Sequence, residues 1–171
     1  MLALPQDQLA PGTLATMTLL EALRRQLRYD TWANQELFGF LVGCDLVPPQ
    51  AWSLHDHVLG TAANWLARMQ GTEPELAIWP ELSHAERPER VTKQAHDWHA
   101  FLSELDEAAL EGTVTYRNSA GVEYTTQRLD VIHHVFAHAH YHRGQVAGAL
   151  RRVGVDPPWT DPILWTRLEG S

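Results

Sequence analysis

Between Leu14 and Val42 the apolar residues Leu19, Leu20, Leu23, Leu27, Trp32, Leu37, Phe38 and Leu41 recur every three or four positions. That spacing gathers them on one face of a long amphipathic helix. Gly43 and the Pro48-Pro49 pair close it. A second helix is predicted from Trp52 to Gln70, carried by Leu54, Val58, Leu59, Ala62, Trp65, Leu66 and Met69, with Gly71 as its C-cap. Thr72–Pro88 holds three prolines and reads as a long connection. A third helix is predicted from Glu89 to Leu110, charged on its outer face. From Thr113 to Thr126 the period shortens to two, with Val114, Tyr116, Val122 and Tyr124 alternating with polar residues around Arg117–Gly121, which predicts a β-hairpin. A fourth long helix runs from Leu129 to Val153, stopped by Gly154 and Pro157-Pro158. A short last one starts at Asp161, with Pro162 suited to its first position. Residues 1–14 lack periodicity and read as a loose N-terminal arm, leaving 15–171 as one domain. The expected fold is all-α, a four-helix bundle with a hairpin before its last long helix.

Composition narrows the function classes. The 171 residues hold 13 Lys and Arg against 21 Asp and Glu, a net charge of −8. An anion of that size is repelled by phosphate backbones and acidic lipid surfaces, which argues against nucleic-acid and membrane partners. A lone cysteine, Cys44, cannot form an internal disulfide, and a cytoplasmic location follows as the expectation. The first 16 residues lack a basic segment and do not read as a signal peptide. Five of the ten histidines fall within residues 133–142, and there the sequence begins to speak of chemistry.

At about 100° per residue, His134, His138 and His142 fall within one arc of the fourth helix, shared by Tyr141 and Gln145. His133 and His140 point elsewhere. Side chains four residues apart lie about 5–6 Å from each other, so neighbouring imidazoles can converge on one ion. His134 and His142 are about 12 Å apart along the axis and cannot share it. Spacing therefore offers His134/His138 or His138/His142 and does not choose. A third ligand must come from another helix. His55 and His57 face about 200° apart, and the helical wheel leans to His55. No H-E-x-x-H occurs, so no general-base glutamate is built in. Tyr141 reads as a core aromatic ahead of an oxyanion donor, Trp32, Trp65 and Trp98 as core or pocket-lining aromatics, and Arg143 as the partner of an acidic residue or a cap on backbone carbonyls. Asn34 either reaches the site or is solvated. Gln145 either orients a ligand or bonds within its helix, and Gly144 reads as a point of close helix packing.

These residues resemble a known family. His57-Val-Leu-Gly60 followed by Trp65-Leu-Ala-Arg68-Met-Gln-Gly71, together with His138-Ala-His-Tyr-His142-Arg-Gly-Gln145, is similar to the DinB/YfiT-like metalloenzymes. Tyr29-Asp-Thr-Trp32-Ala33-Asn34 resembles their first-helix signature, and Pro158-Trp-Thr-Asp161 through Trp165 their C-terminal segment. The resemblance implies an up-down-down-up bundle and a divalent metal held by His57, His138 and His142. It overrides the lean to His55 and leaves His134 as a neighbour. It also implies a homodimer.

Three imidazoles leave coordination positions open, as catalytic zinc sites do; nickel and iron(II) accept the same ligands. Relatives in the wider superfamily use low-molecular-weight thiols, so the leading expectation is a thiol-dependent S-transferase acting on a small molecule. The alternatives are a metal-dependent hydrolase using bound hydroxide and a non-catalytic metal-binding stress protein.

Overall fold

The computed structural model describes residues 16–118 and 120–169. The predicted arm over residues 1–14 lies outside them. Four long helices dominate: α1 (Leu19–Gly43), α2 (Pro49–Gln70), α3 (Arg87–Glu104) and α5 (Arg128–Arg152). A one-turn α4 (Glu107–Leu110), the strands β1 (Thr113–Arg117) and β2 (Glu123–Gln127), and a short α6 (Pro162–Glu169) complete the order. No helix among the described residues is long and apolar enough to cross a membrane.

Local chemistry sets the boundaries. The first helix begins at Leu19 rather than Leu14 because Thr18 caps it: its hydroxyl accepts from Glu21 N, and the Glu21 carboxylate accepts from Thr18 N. Pro49 opens α2 at a position where its missing N–H costs nothing. Gly71 ends α2 in the left-handed region, at φ 68°, where its N–H reaches the last carbonyls. The predicted third helix does not run on to Leu110. Leu105 is extended, and Asp106 turns its carboxylate onto Ala109 N at 2.8 Å, starting α4 afresh. The hairpin pairs Tyr116 with Tyr124 and Val114 with Thr126.

Two apolar clusters reveal the helix directions. One joins Leu20, Leu23 and Leu27 to Ala62, Leu66, Trp98, Phe101, Leu102, Ile132 and Val135. The other joins Leu37 and Leu41 to Ala51, Leu54, Val146, Ala149 and Leu150. Moving from the first cluster to the second, α1 and α5 run forward while α2 runs backward. Val91, at the start of α3, sits with Leu59 and Phe38, so α3 runs backward too. The bundle is therefore up-down-down-up, with α2 against α5 as its closest helix pair. Parallel α2 and α3 need a full-length return, and residues 71–86 supply it as a strap along α2.

The strap is pinned from beneath. Asn64 donates from one Nδ2 to the carbonyls of Gly60, at 2.8 Å, and Leu76, at 2.7 Å. Gly60 lets the strap lie directly on the helix, since a Cβ there would meet Pro80 Cδ at 2.7 Å and the Ile78 oxygen at 2.8 Å. Where the strap rejoins the bundle, Arg87 at the start of α3 makes a two-pronged bond to the buried Asp56 carboxylate, 2.9 Å on each arm.

A second buried network ties α1, α5 and the C-terminal segment together. Arg143 donates to Asp30 at 2.5 Å and Asn34 at 2.8 Å. Tyr29 donates its hydroxyl to the Thr160 carbonyl at 2.8 Å and packs edge-on against Trp165. Arg143 thus pairs with an acid, as its position predicts. Asn34 neither reaches the histidines nor meets solvent, but accepts from Arg143. The first-helix signature and the C-terminal segment are one structural lock. Gly144, by contrast, packs against nothing: no atom lies within 4 Å of where its Cβ would be.

Candidate metal centre

On α5, His138 and His142 lie one turn apart along the edge that faces α2, and His57 meets them from α2. One nitrogen from each of the three rings lies within 4.8 Å of the others. His57 Nε2 and His138 Nε2 are 3.2 Å apart, and the His142 ring centre is 4.7 Å from that of His57 and 4.3 Å from that of His138. His57 is buried and the other two are half-buried.

Hydrogen bonds at the backs of two rings decide what they present. The Ile78 carbonyl, which can only accept, lies 2.8 Å from His57 Nδ1. That nitrogen therefore carries the proton, and Nε2 offers its lone pair to the cluster. His142 Nδ1 meets Gln145 Oε1 at 2.7 Å, which fixes the second ring in the same sense. A His57 lone pair facing another ring nitrogen at 3.2 Å needs a proton or a cation between them. Two nitrogens on one tetrahedral zinc stand about 3.3 Å apart for Zn–N bonds of about 2.0–2.1 Å. The donor set fits a divalent metal.

Electrostatics point the same way. Burial, then the proximity of His142, His57 and His134, pushes His138 down to about 4. Burial also lowers His57, against the pull of the Ile78 carbonyl. Both shifts favour the neutral imidazole, the form that binds metals, at His57 and His138. Among the described residues, none of the hydrogen bonds of the three rings goes to a carboxylate.

The remaining predicted residues fall outside this cluster. His55 is buried between Phe38 and Trp52, with Nδ1 3.4 Å from Asp56 and Nε2 unpartnered. His134 lies next along α5, its ring 5.6 Å from His138 and 5.4 Å from Trp65. His140 faces away and hydrogen-bonds to Tyr29 Oη at 3.1 Å. Tyr141 is not a core aromatic: it is 63% exposed, because its arc of α5 opens to solvent beside His142. Of the three tryptophans, Trp98 is fully buried and Trp32 and Trp65 are half-buried.

Periodicity missed the strap's contribution. Trp79 lies flat on the His57 ring, 3.6 Å between centres and 8° between planes, while its outer face stays open. With Ile78 it forms a clamp on His57. The apolar run from Leu76 to Pro80 within the connection was the available signal, as was Gly60 amid the apolar residues of the second helix.

The DinB family model matches residues 49–169, from the start of α2 to the end of α6. No curated protein matches the chain. The match leaves out α1, although the lock formed by Tyr29, Asp30 and Asn34 ties that helix to the matched region.

Proposed function

The chain belongs to the DinB family, and on that footing we propose that it is a metal-dependent enzyme in which His57, His138 and His142 hold zinc, nickel or iron for a low-molecular-weight-thiol S-transfer reaction. The observation that carries the reading is the convergence of three imidazoles, two of them fixed from behind by Ile78 and Gln145. A divalent metal held by these three side chains would supply the Lewis acidity that lowers the pKa of a thiol. The thiol proton leaves to solvent, the sulfur forms a bond to the electrophilic carbon, and the leaving group takes the displaced electron pair. His57, held by Ile78 and covered by Trp79, keeps the donor direction fixed. The open side beside Tyr141 admits the electrophile. A hydrolase is less well served, because among the described residues no carboxylate stands among the partners of the three rings to take a proton from water.

The test is metal content per chain by plasma mass spectrometry on untagged protein, with conjugation of monochlorobimane followed in parallel. About one equivalent of metal, and conjugation needing both metal and thiol, is the expected result. Turnover without thiol would overturn the transferase reading, and failure to take up zinc or nickel would overturn the metal centre.

A further inference from the structure

The edge of α2 that carries His57 continues towards the hairpin. Thr61, Trp65 and Arg68 follow His57 at four, eight and eleven residues, within about 80° of one face. Arg68 is three turns on, about 16 Å along the axis, and its side chain leans back towards the histidines as helical side chains do. Its guanidinium lies over the Trp65 ring at 4.6 Å and the Tyr116 ring at 5.0 Å. Trp65 in turn touches His134, and His134 touches His138. An aromatic shelf thus runs unbroken from the histidine cluster to a cation.

Arg68 has few other commitments. Its one hydrogen bond among the described residues, to the Arg117 carbonyl, is 3.5 Å long. No carboxylate pairs with it there, while neighbouring Arg117 is taken by Glu123 at 2.9 Å. In a chain of net charge −8, a guanidinium spread on two rings and short of acceptors is a ready anion site. Its planar fork suits a carboxylate.

We propose that Arg68, laid across Trp65 and Tyr116, binds the acidic end of an elongated small molecule whose sulfur reaches His57, His138 and His142. The substrate class is a carboxylate-bearing thiol spanning about 10–16 Å, laid along the row of His134, Trp65 and Tyr116. The assignment of the sulfur end rests on the function proposed above; the assignment of the acidic end rests on Arg68.

The experiment is calorimetric titration of the zinc-loaded full chain with ω-mercaptoalkanoic acids of three to twelve carbons, each beside the mercaptoalcohol of equal length. An eleven-carbon acid reaches about 13 Å. Acid and alcohol should bind alike when short, and the acid about tenfold tighter once the chain spans the shelf. Arg68→Gln should remove that preference while leaving zinc content and alcohol affinity unchanged, and Arg68→Lys should keep part of it. Equal binding of acid and alcohol at every length overturns the proposal, as does an Arg68→Gln loss shared equally by both, the signature of a mere clasp for the hairpin. Absence of any acid binding overturns it too. S-methylated acids separate the two readings. If they bind as tightly as the free thiols and retain the Arg68-dependent preference, the anion site stands and the metal–thiol reading falls; if the thiols bind through zinc without regard to the acid, the reverse holds.

Discussion

Gly60→Ala adds a single methyl group, yet it falls where the strap rests on α2. The new Cβ would lie under 3.0 Å from three atoms of residues 77–80, two of them backbone oxygens that cannot swing aside. Ordinary contact begins near 3.5 Å, so the strap must lift by about 1 Å. One of those oxygens belongs to Ile78 and now sits 2.8 Å from His57 Nδ1; a lift of that size takes the bond beyond its working range. Three terms then compete. Alanine gains about 1 kcal/mol in helix propensity, overpacking costs about 1–3 kcal/mol, and the lost hydrogen bond about 1 kcal/mol. The expected net loss is about 1–3 kcal/mol, or several degrees in Tm at about 2–4 °C per kcal/mol for a chain of this size. Metal affinity should fall by about ten- to hundredfold, the usual effect of losing a partner behind a ligand. Gly39→Ala is the control, since it gains the same propensity with nothing within 4 Å of its Cβ. Thermal denaturation of the metal-free protein and zinc competition against a fluorescent chelator read the two effects separately. If Gly60→Ala held zinc like the wild type and gained stability as Gly39→Ala does, the strap would not be the support of His57, and the reasoning would fail.

Four further outcomes are expected. His138→Ala and His142→Ala should each abolish tight metal binding, whereas His133→Ala should not, with metal per chain as the readout. Gln145→Leu frees His142 Nδ1 from its acceptor and should weaken zinc binding by about tenfold or more in the same chelator assay, with little change in urea stability. Arg143→Met strands the buried Asp30 carboxylate and should cost about 3–5 kcal/mol in urea unfolding; adding Asp30→Leu should recover much of it, and a larger loss in the double variant would contradict the pairing. For pH, burial raises the Asp56 carboxyl but hydrogen bonds from His55 and Arg87 bring it below its usual range. Its contribution to stability is therefore complete above the unfolded value, about 4, and is lost as pH falls through the folded one. Asp56→Asn should flatten the fall of the urea midpoint between pH 6 and 3, and an unchanged slope would count against the assignment.

How far the site was legible follows from which contacts are periodic. The four long helices could be read because each buries a regular stripe: Leu20, Leu23 and Leu27 on α1, and Ile132, Val135 and Phe136 on α5, sit where a period of 3.6 puts them. The break at Leu105 could not be read that way, since Asp106 competes for a local backbone N–H without disturbing the apolar spacing around it. The histidines are more instructive. A wheel ranks His55 above His57 because it asks which residue faces the bundle, and His55 does face it, wedged between Phe38 and Trp52. His57 is no less covered, but by Ile78 and Trp79 of the strap, an aperiodic segment that no wheel drawn on α2 alone can contain. The two histidines differ in what seals them: His55 packs between side chains of α1 and α2, whereas His57 is held from behind by the strap and faces His138 and His142. Tyr141 makes the same point from the other side. It shares an arc with His138 and His142, and that arc lies at the rim of the bundle, half-buried at the two histidines and open at Tyr141, where a sequence pattern built on burial has least to say.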